Sequence, residues 1–430
     1  PTPAPGVILR TQIAATLLAC LSLLAFADLR IAFEPTIHSQ AAATIGNGWG
    51  WLAVSLSAAA WLSLRRQYQG SWFEKLSVDY LGLVLLSAVS LIVCSLSRVL
   101  DGWASYHALM IGVGVSAWMM FALRGVGFSR LKLEGEDTTV GWATCLGLAQ
   151  FALTLRGIEA PDSIWWTVAS LAVLSLLFGW MAVALKRRSY VYLSVPLLNL
   201  IASLLFARHF DVLDQLFQFW AVNVIVLSLA SLGWLWLDLK RMRPAVGRYP
   251  FHRLTVLLVL PSVFLFAAIH WCVWVIFTEH PMTVWLNWAV ILSVAALLIG
   301  CLWDDGILLS LRGIHLLGGV AILEACCLVT AFKEYRLAAL TVAAFSLYAL
   351  AVSWLWRKRE SLARLAASFG VPETLGAAEK MRSWLLAWNA MLAFAVTLSS
   401  LAIVSAAASL MARLLVTSAA FALPAAFALL

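Results

Sequence analysis

The sequence predicts an all-α polytopic membrane protein with about 12 to 14 transmembrane helices, arranged as tandem helical hairpins of one orientation. Of its 430 residues, 63% are hydrophobic and 12% are charged, whereas soluble domains carry about 45–50% and about 25%. The hydrophobic residues also fall into blocks close to the roughly 20 residues that cross a bilayer. This composition excludes a soluble enzyme, a disordered chain and a nucleic-acid-binding domain, although the formal net charge is +8.

Apolar blocks between charged breaks define fourteen candidate spans. Two of them, the second and the fifth, are short, and the last contains Pro424, which favours a truncated or re-entrant segment. The predicted spans cover residues 8–29, 49–64, 78–97, 103–123, 140–156, 164–185, 190–208, 216–237, 254–277, 283–303, 312–332, 337–356, 384–408 and 411–430.

The spans group into a predicted domain organisation. A Pro-rich start and an apolar end suggest the ordered membrane part of a longer polypeptide. The predicted parts are a linker from an upstream region over 1–7, six tandem hairpins over 8–356, a cytoplasmic amphipathic connector over 357–383, and a seventh hairpin, complete or truncated, over 384–430.

Basic residues indicate the orientation. Of the 29 Lys and Arg residues, 21 fall in loops after even-numbered spans, 7 in loops after odd-numbered spans, and one precedes the first span. Because cytoplasmic loops retain Lys and Arg, the N-terminal side is predicted to be cytoplasmic. The 22 tryptophans gather toward the ends of spans, as expected of aromatic belts at the membrane surfaces. A bacterial cytoplasmic membrane is the predicted location.

A repeat runs through the chain. The odd spans end in an arginine near an acid, and Arg30, Arg98, Arg156 and Arg208 stand 68, 58 and 52 residues apart. The repeating unit is therefore a hairpin of about 60 residues, and similarity at a fixed period suggests duplication. Hairpins of one orientation can stack into an arc in the membrane plane or form a compact bundle, and the sequence leaves both arrangements open.

Three of these arginines share a motif with an acid three residues later. Such a spacing places both charges on one face of a continuing helix. We predict that these pairs form an outer charged rim that orients successive hairpins, and the alternative is that each arginine is an independent interfacial anchor. The pairs are Arg98 with Asp101, Arg156 with Glu159, and Arg208 with Asp211.

Glu324 is the carboxylate nearest the middle of a predicted span. An ionisable residue at that depth costs about 2.5–3.5 kcal/mol on insertion scales and often marks a pathway. Other polar residues in spans can join it in a polar seam, and the alternative is that each only bonds a neighbouring helix as packing glue. These residues are Gln150, Asn199, Asn223, His270, Asn287 and Asn389.

Other chemistry finds little support in the sequence. There is no Gly-rich phosphate loop, HExxH motif or nucleophile elbow. The seven cysteines lie in apolar blocks as small packing residues, and the outer histidines lack a spacing typical of haem or metal ligation. We therefore predict no catalytic residues, no metal and no cofactor.

The favoured function is a non-enzymatic scaffold or anchor embedded in the membrane as part of a larger protein or complex. Its expected partners are the lipid bilayer and other subunits or further domains of the same chain, and not nucleic acid. The first alternative is a transporter or channel with a polar path through Glu324. The second is a lipid-dependent membrane transferase that uses Asp28 and Glu34 on the first outer loop.

Overall fold

The computed structural model is helical throughout the part of the chain that it describes, and no strand occurs there. The isolated positions 52, 54–56 and 59 are also helical. The described residues are 71–96, 102–123, 138–160, 164–212, 215–239, 251–277, 284–303, 307–328, 335–371, 375–405 and 410–430.

The chain divides into two compact units, Pro1–Ala184 and Leu185–Leu430. The first unit contains four described helices: α1 (Ser71–Leu96), α2 (Gly102–Leu123), α3 (Thr138–Arg156) and α4 (Ile164–Leu185). A short 3₁₀ turn, Gly157–Glu159, follows α3.

The second unit contains nine described helices and begins with a 3₁₀ turn, Arg188–Tyr190. Another 3₁₀ turn, Cys301–Trp303, follows the fourth of these helices. The helices are α5 (Val191–His209), α6 (Leu216–Leu237), α7 (Phe251–Phe277), α8 (Val284–Gly300), α9 (Ile307–Cys327), α10 (Tyr335–Arg357), α11 (Arg359–Ser368), α12 (Leu375–Ser405) and α13 (Leu410–Leu429).

Twelve of the fourteen predicted spans correspond to helices in the described part of the chain. Nine of these helices are long and apolar enough to cross a membrane, namely α2, α4 to α10 and α13. Nine apolar helices of this length, in the described part of the chain, are compatible with a multi-pass membrane protein. The count of 12 to 14 transmembrane helices stays a prediction. The linker 1–7 and the span 8–29, with most of 49–64, lie outside the described residues.

Several hydroxyl side chains form hydrogen bonds within the helices that carry them. Ser116 donates to the carbonyl of Gly112 at 3.0 Å, and Thr341 donates to that of Leu337 at 2.9 Å. Such bonds to the preceding turn leave no polar group facing an apolar neighbour. Apolar helices can therefore include many Ser and Thr residues.

In the first unit, α2 packs against α1 and α3. Small residues allow the close approach: a Cβ atom at Gly112 would lie 2.3 Å from Cγ1 of Val89 on α1. Tyr106, which is fully buried on α2, donates its hydroxyl to the carbonyl of Leu153 on α3. Close glycine contacts and bonds between helices are typical of packing in membrane proteins.

In the second unit, α6, α7, α8 and α9 enclose an extensive apolar core, with Val259, Val294 and Leu297 almost fully buried. α13 packs against α10 through small residues, including the fully buried pair Ala339 and Ala412. Arg188 binds Asp238 through two parallel bonds, Nε to Oδ1 at 3.0 Å and Nη2 to Oδ2 at 2.8 Å. This fork joins the start of α5 to the end of α6.

Contacts in the second unit also link alternate helices. α6 packs against α8, α7 against α9, and α10 against α13. In terms of the predicted spans, each of these contacts joins equivalent helices of neighbouring hairpins. The hairpin repeat nevertheless stays a prediction, since packing in one unit does not establish a repeat along the chain.

Candidate functional site

The candidate site lies where α7, α8 and α9 of the second unit face one another. On α7, residues 263, 266, 267 and 270 follow the spacing of one helix face, and on α8 the same holds for 287, 290 and 291. On α9, residues 320 and 324 stand one turn apart. These three faces, with Phe217 and Trp220 of α6, surround a common cavity.

Three polar side chains meet in this cavity, and we call them the Glu324 cluster: Glu324, His270 and Asn287. His270 Nδ1 lies 2.9 Å from Glu324 Oε1, and Asn287 Nδ2 donates to Glu324 Oε2 at 2.7 Å. Asn287 Nδ2 also lies 3.1 Å from His270 Nδ1. The cluster therefore links three consecutive helices through one carboxyl group.

The cluster is buried among apolar side chains. Glu324 is 7% exposed, His270 3% and Asn287 4%. Trp220 stacks on Phe266 at a centroid distance of 4.1 Å on the cavity wall. None of the described residues that line the cavity is a Lys or Arg, so no fixed positive charge there balances an ionised Glu324. An uncompensated carboxylate in such surroundings is costly.

The donors and acceptors of the three side chains limit where a proton can lie in the Glu324 cluster. The bond between Glu324 and His270 needs one proton, held either by the carboxyl group or by imidazole Nδ1. The Asn287 amide can only donate, so its contact with His270 Nδ1 is favourable when Nδ1 accepts. If Glu324 is the donor to His270, the one lone pair of Nδ1 accepts from the Glu324 hydroxyl and, as a shared weaker contact, faces the Asn287 donor. The geometry thus suits a neutral cluster that holds one proton on Glu324.

The cavity beside the cluster is small. The volume open to the centre of a water-sized sphere is about 20 Å³, and a single buried water needs about 10–15 Å³ on this measure. One water molecule therefore fits against the carboxyl group, whereas an organic ligand does not.

The other polar residues predicted for the seam lie elsewhere. The Ser203 hydroxyl of α5 lies 2.7 Å from Oδ1 of Asn223 on α6 and 3.1 Å from the main-chain carbonyl of Asn199, and its one hydrogen is shared between these two acceptors. On α12, Asn389 donates to Ser353 of α10 at 3.4 Å. Of the predicted residues, the structure thus brings His270 and Asn287 to Glu324 and bonds the side chains of Asn223 and Asn389 elsewhere. Asn199 contributes only its main-chain carbonyl.

Gln150 belongs to the first unit, in a set that we call the Gln150 cluster: Gln150, Thr154 and Ser170. Gln150 Nε2 donates to Ser170 Oγ at 3.0 Å, and the Ser170 and Thr154 hydroxyls lie 2.8 Å apart. The one hydroxyl hydrogen of Thr154 is donated to the main-chain carbonyl of Gln150 at 2.7 Å. Ser170 is therefore the donor in its bond with Thr154. This cluster joins α3 to α4 and contains no ionisable group.

The charged rim is not tested by the structure. Arg156 ends α3 and Glu159 lies in the following 3₁₀ turn, while Arg208 lies in the last turn of α5, shortly before Asp211. The remaining pair, Arg98 with Asp101, lies outside the described residues. The rim stays a prediction.

A buried histidine of α9 was missed by sequence reasoning. His315 of α9 is 5% exposed, stacks on Tyr348 at 5.2 Å and meets Trp384 and Trp388 edge-on. Among the described residues, neither ring nitrogen has a hydrogen-bond partner. The position of His315 on an apolar helix face was the only sign in the sequence that this residue is buried. That position does not distinguish a histidine that only packs from one that takes part in function.

Comparison with known proteins adds no function to this site, since no protein-family model, curated protein or solved structure matches the chain. Within the described residues, no group of three or more His, Cys, Asp or Glu side chains is placed to hold a metal ion.

Proposed function

We propose that the chain is a multi-pass membrane transport protein in which the Glu324 cluster binds and releases a proton. The observation that carries this proposal is the contact of a buried Glu324 with both His270 and Asn287 beside a water-sized cavity. The favoured interpretation of the sequence was a scaffold, and the geometry of this cluster supports the transport alternative better.

Membrane insertion is part of the proposal. The nine apolar helices leave large apolar side chains on their outer faces, among them Leu176, Leu258 and Trp285, which are 66%, 61% and 86% exposed. Contiguous apolar surface of this kind is costly in water and is matched by lipid. Inside a bilayer, buried ionisable residues usually serve transport of ions or protons.

The chemistry of the cluster supports a proton as the transported species. In the neutral state, Glu324 holds the proton and the imidazole of His270 carries its one hydrogen on Nε2. When Glu324 releases the proton, the imidazole hydrogen moves from Nε2 to Nδ1. Nδ1 then donates to the carboxylate, the contact of Asn287 with Nδ1 is given up, and the cluster carries one negative charge. Both states retain the bond between the two residues, so the loss of the proton does not require the helices to separate. Because the two states differ by one proton and one charge, their populations change with the proton concentration on either side of the membrane.

We propose the orientation that the basic loops favour, with the N-terminal side in the bacterial cytoplasm. Single cysteines placed at Lys358 and Asp211, in a chain without other cysteines, should then react with an impermeant thiol reagent from opposite sides. Reaction of both from one side would contradict this topology. The tandem hairpin arrangement is part of the same proposal and is supported by the contacts between alternate helices.

The decisive experiment measures proton flux in vesicles that contain the full chain and a trapped pH-sensitive dye. A potassium diffusion potential drives proton entry. Glu324→Gln removes the titratable group with little change of volume, and we expect the flux to fall to that of vesicles without protein. Glu379→Gln, the same change at an exposed carboxylate of α12, is the matched control and should leave the flux unchanged.

The outcomes separate the candidate functions. If unaltered protein conducts no protons above empty vesicles, or if Glu324→Gln conducts as well as unaltered protein, the transport proposal is wrong. The scaffold function would then be favoured. The transferase alternative receives no support, because Asp28 and Glu34 lie outside the described residues.

A further inference from the structure

The short helix α11 connects α10 to α12 and ends in a defined cap. Gly370 adopts φ +73° and donates its N–H to the carbonyl of Ala367 at 2.9 Å, while the Val371 N–H donates to Ala366 at 3.1 Å. These two bonds form a Schellman motif, in which glycine tolerates the left-handed conformation. The sequence therefore ends this helix at a specific residue.

A side-chain bond fixes the same end of α11 to the second unit. Trp303, in the 3₁₀ turn after α8, donates its indole N–H to the carbonyl of Phe369 at 3.1 Å. Val371, directly after the cap, is 8% exposed. The helix is thus held at its C-terminal end by contacts with the rest of its unit, and its exposed side chains belong to an ordered element.

An apolar stripe on α11 is left uncovered. Leu362, Leu365 and Phe369 follow the spacing of one helix face and are 42%, 57% and 68% exposed. Ala363 and Ala366, on the adjacent face, are half-buried. No residue of α11 is buried. Exposed apolar stripes of this kind mark binding surfaces for another molecule.

The chain around the stripe is basic. Residues 357–383 contain six Lys and Arg residues and three Glu residues. The Arg359 guanidinium lies 4.4 Å from the centre of the Trp356 ring, and that of Arg382 lies 5.8 Å from it. Tryptophan flanked by arginine is typical of the head-group region, where its ring and their charges meet lipid phosphates.

We propose that α11 lies on the surface of the bilayer and binds anionic phospholipids. Leu362, Leu365 and Phe369 enter the upper acyl region, and the surrounding Arg and Lys side chains bind head-group phosphates. The position of the helix selects lipid over a protein partner, because α10 is a candidate span that ends at Arg357, two residues before α11 begins. This inference rests on the membrane insertion that the proposed function includes, but not on proton transport.

The test uses the full chain, with its other cysteines replaced, in vesicles. A nitroxide is attached at Leu365→Cys or, as the matched exposed position on the opposite face of α11, at Ala367→Cys. In vesicles that contain phosphatidylglycerol, the label at 365 should be accessible to oxygen and shielded from a water-soluble nickel complex. The label at 367 should show the opposite. Equal access of the nickel complex to both labels, or shielding of the label at 365 from both reagents, would overturn the proposal.

A second arm tests the charge requirement. The combined variant Arg357→Gln, Lys358→Gln and Arg364→Gln keeps Arg359 on its tryptophan. It should need on the order of tenfold more phosphatidylglycerol for half-maximal insertion of the label at 365. The matched control Lys186→Gln with Arg187→Gln should not change this amount. If the combined variant inserts like unaltered protein, or if phosphatidylcholine alone supports full insertion, anionic lipid is not the ligand.

The two proposals can fail separately. Glu324→Gln should leave both labels where they are, because the cluster lies on other helices. If the unaltered protein shows normal label positions but no proton flux, only the transport proposal is wrong. If it shows proton flux but the label at 365 is not inserted, only the lipid proposal is wrong.

Discussion

The two units each contain a buried cluster of polar side chains between neighbouring helices, and the clusters differ in one respect. In the Gln150 cluster, an amide and two hydroxyls bond α3 to α4. In the Glu324 cluster, a carboxyl group bonds an imidazole and an amide across α7, α8 and α9. Both hold helices together by the same kind of bond, but only the second can change its charge.

Their surroundings differ as well. A Cβ atom at Gly114 of α2 would lie 2.6 Å from Nε2 of Gln150, so the amide is tightly enclosed. The Glu324 cluster instead adjoins space for a water molecule. A buried cluster of neutral polar side chains, such as the Gln150 cluster, is thus explained by helix packing alone. A buried cluster that contains an ionisable group and adjoins space for water, such as the Glu324 cluster, indicates function. The comparison defines what each substitution should do.

The largest effect is expected at His270. In His270→Asn, the shorter side chain retains a polar group that can bond Glu324 but cannot take up a proton. We expect proton flux to fall about tenfold or more, as for loss of a group that transfers protons. The free energy of unfolding should change by less than about 1.5 kcal/mol. Flux in vesicles and unfolding in a detergent titration measure the two quantities. Unaltered flux would show that His270 is only a packing partner.

A smaller effect, on stability alone, is expected at Gln150. Gln150→Glu introduces a carboxyl group into the neutral cluster, and we expect it to destabilise the fold by about 2.5–3.5 kcal/mol. Gln150→Leu is the matched control and should cost only about 0.6 kcal/mol, the average for a bond between membrane helices. Neither change should alter proton flux per folded molecule. A change in flux in either variant would contradict the assignment of this cluster to packing.

Helix positions were largely predictable from the sequence. The predicted spans 164–185 and 216–237 coincide with α4 and α6, because uninterrupted apolar blocks of membrane length fix helices well. The start of α12 was less predictable: the apolar block suggested residue 384, but the helix begins at Leu375. Good helix formers such as Glu379 and Lys380 extend it beyond the apolar part.

The partners within the clusters were not predictable in the same way. Glu324 was found from its depth in a span, and His270 and Asn287 were only members of a wider set of polar residues. Nothing in a single sequence gives the rotation of each helix about its axis, which decides which side chains meet. The wider set is accordingly divided in the structure, with Gln150 bonded in the first unit and Asn223 bonded to Ser203 of α5.

The most direct test of the account is an infrared titration of Glu324 in the membrane-reconstituted chain. Glu324 is predicted to give a carboxylic-acid C=O band that grows as the buffer is acidified, that is absent from Glu324→Gln, and that shifts in His270→Asn because its hydrogen-bond partner has changed. Glu379→Gln should retain the band. A difference spectrum without a pH-dependent band assignable to Glu324, between about pH 4 and pH 10, would contradict a proton-binding role for this cluster.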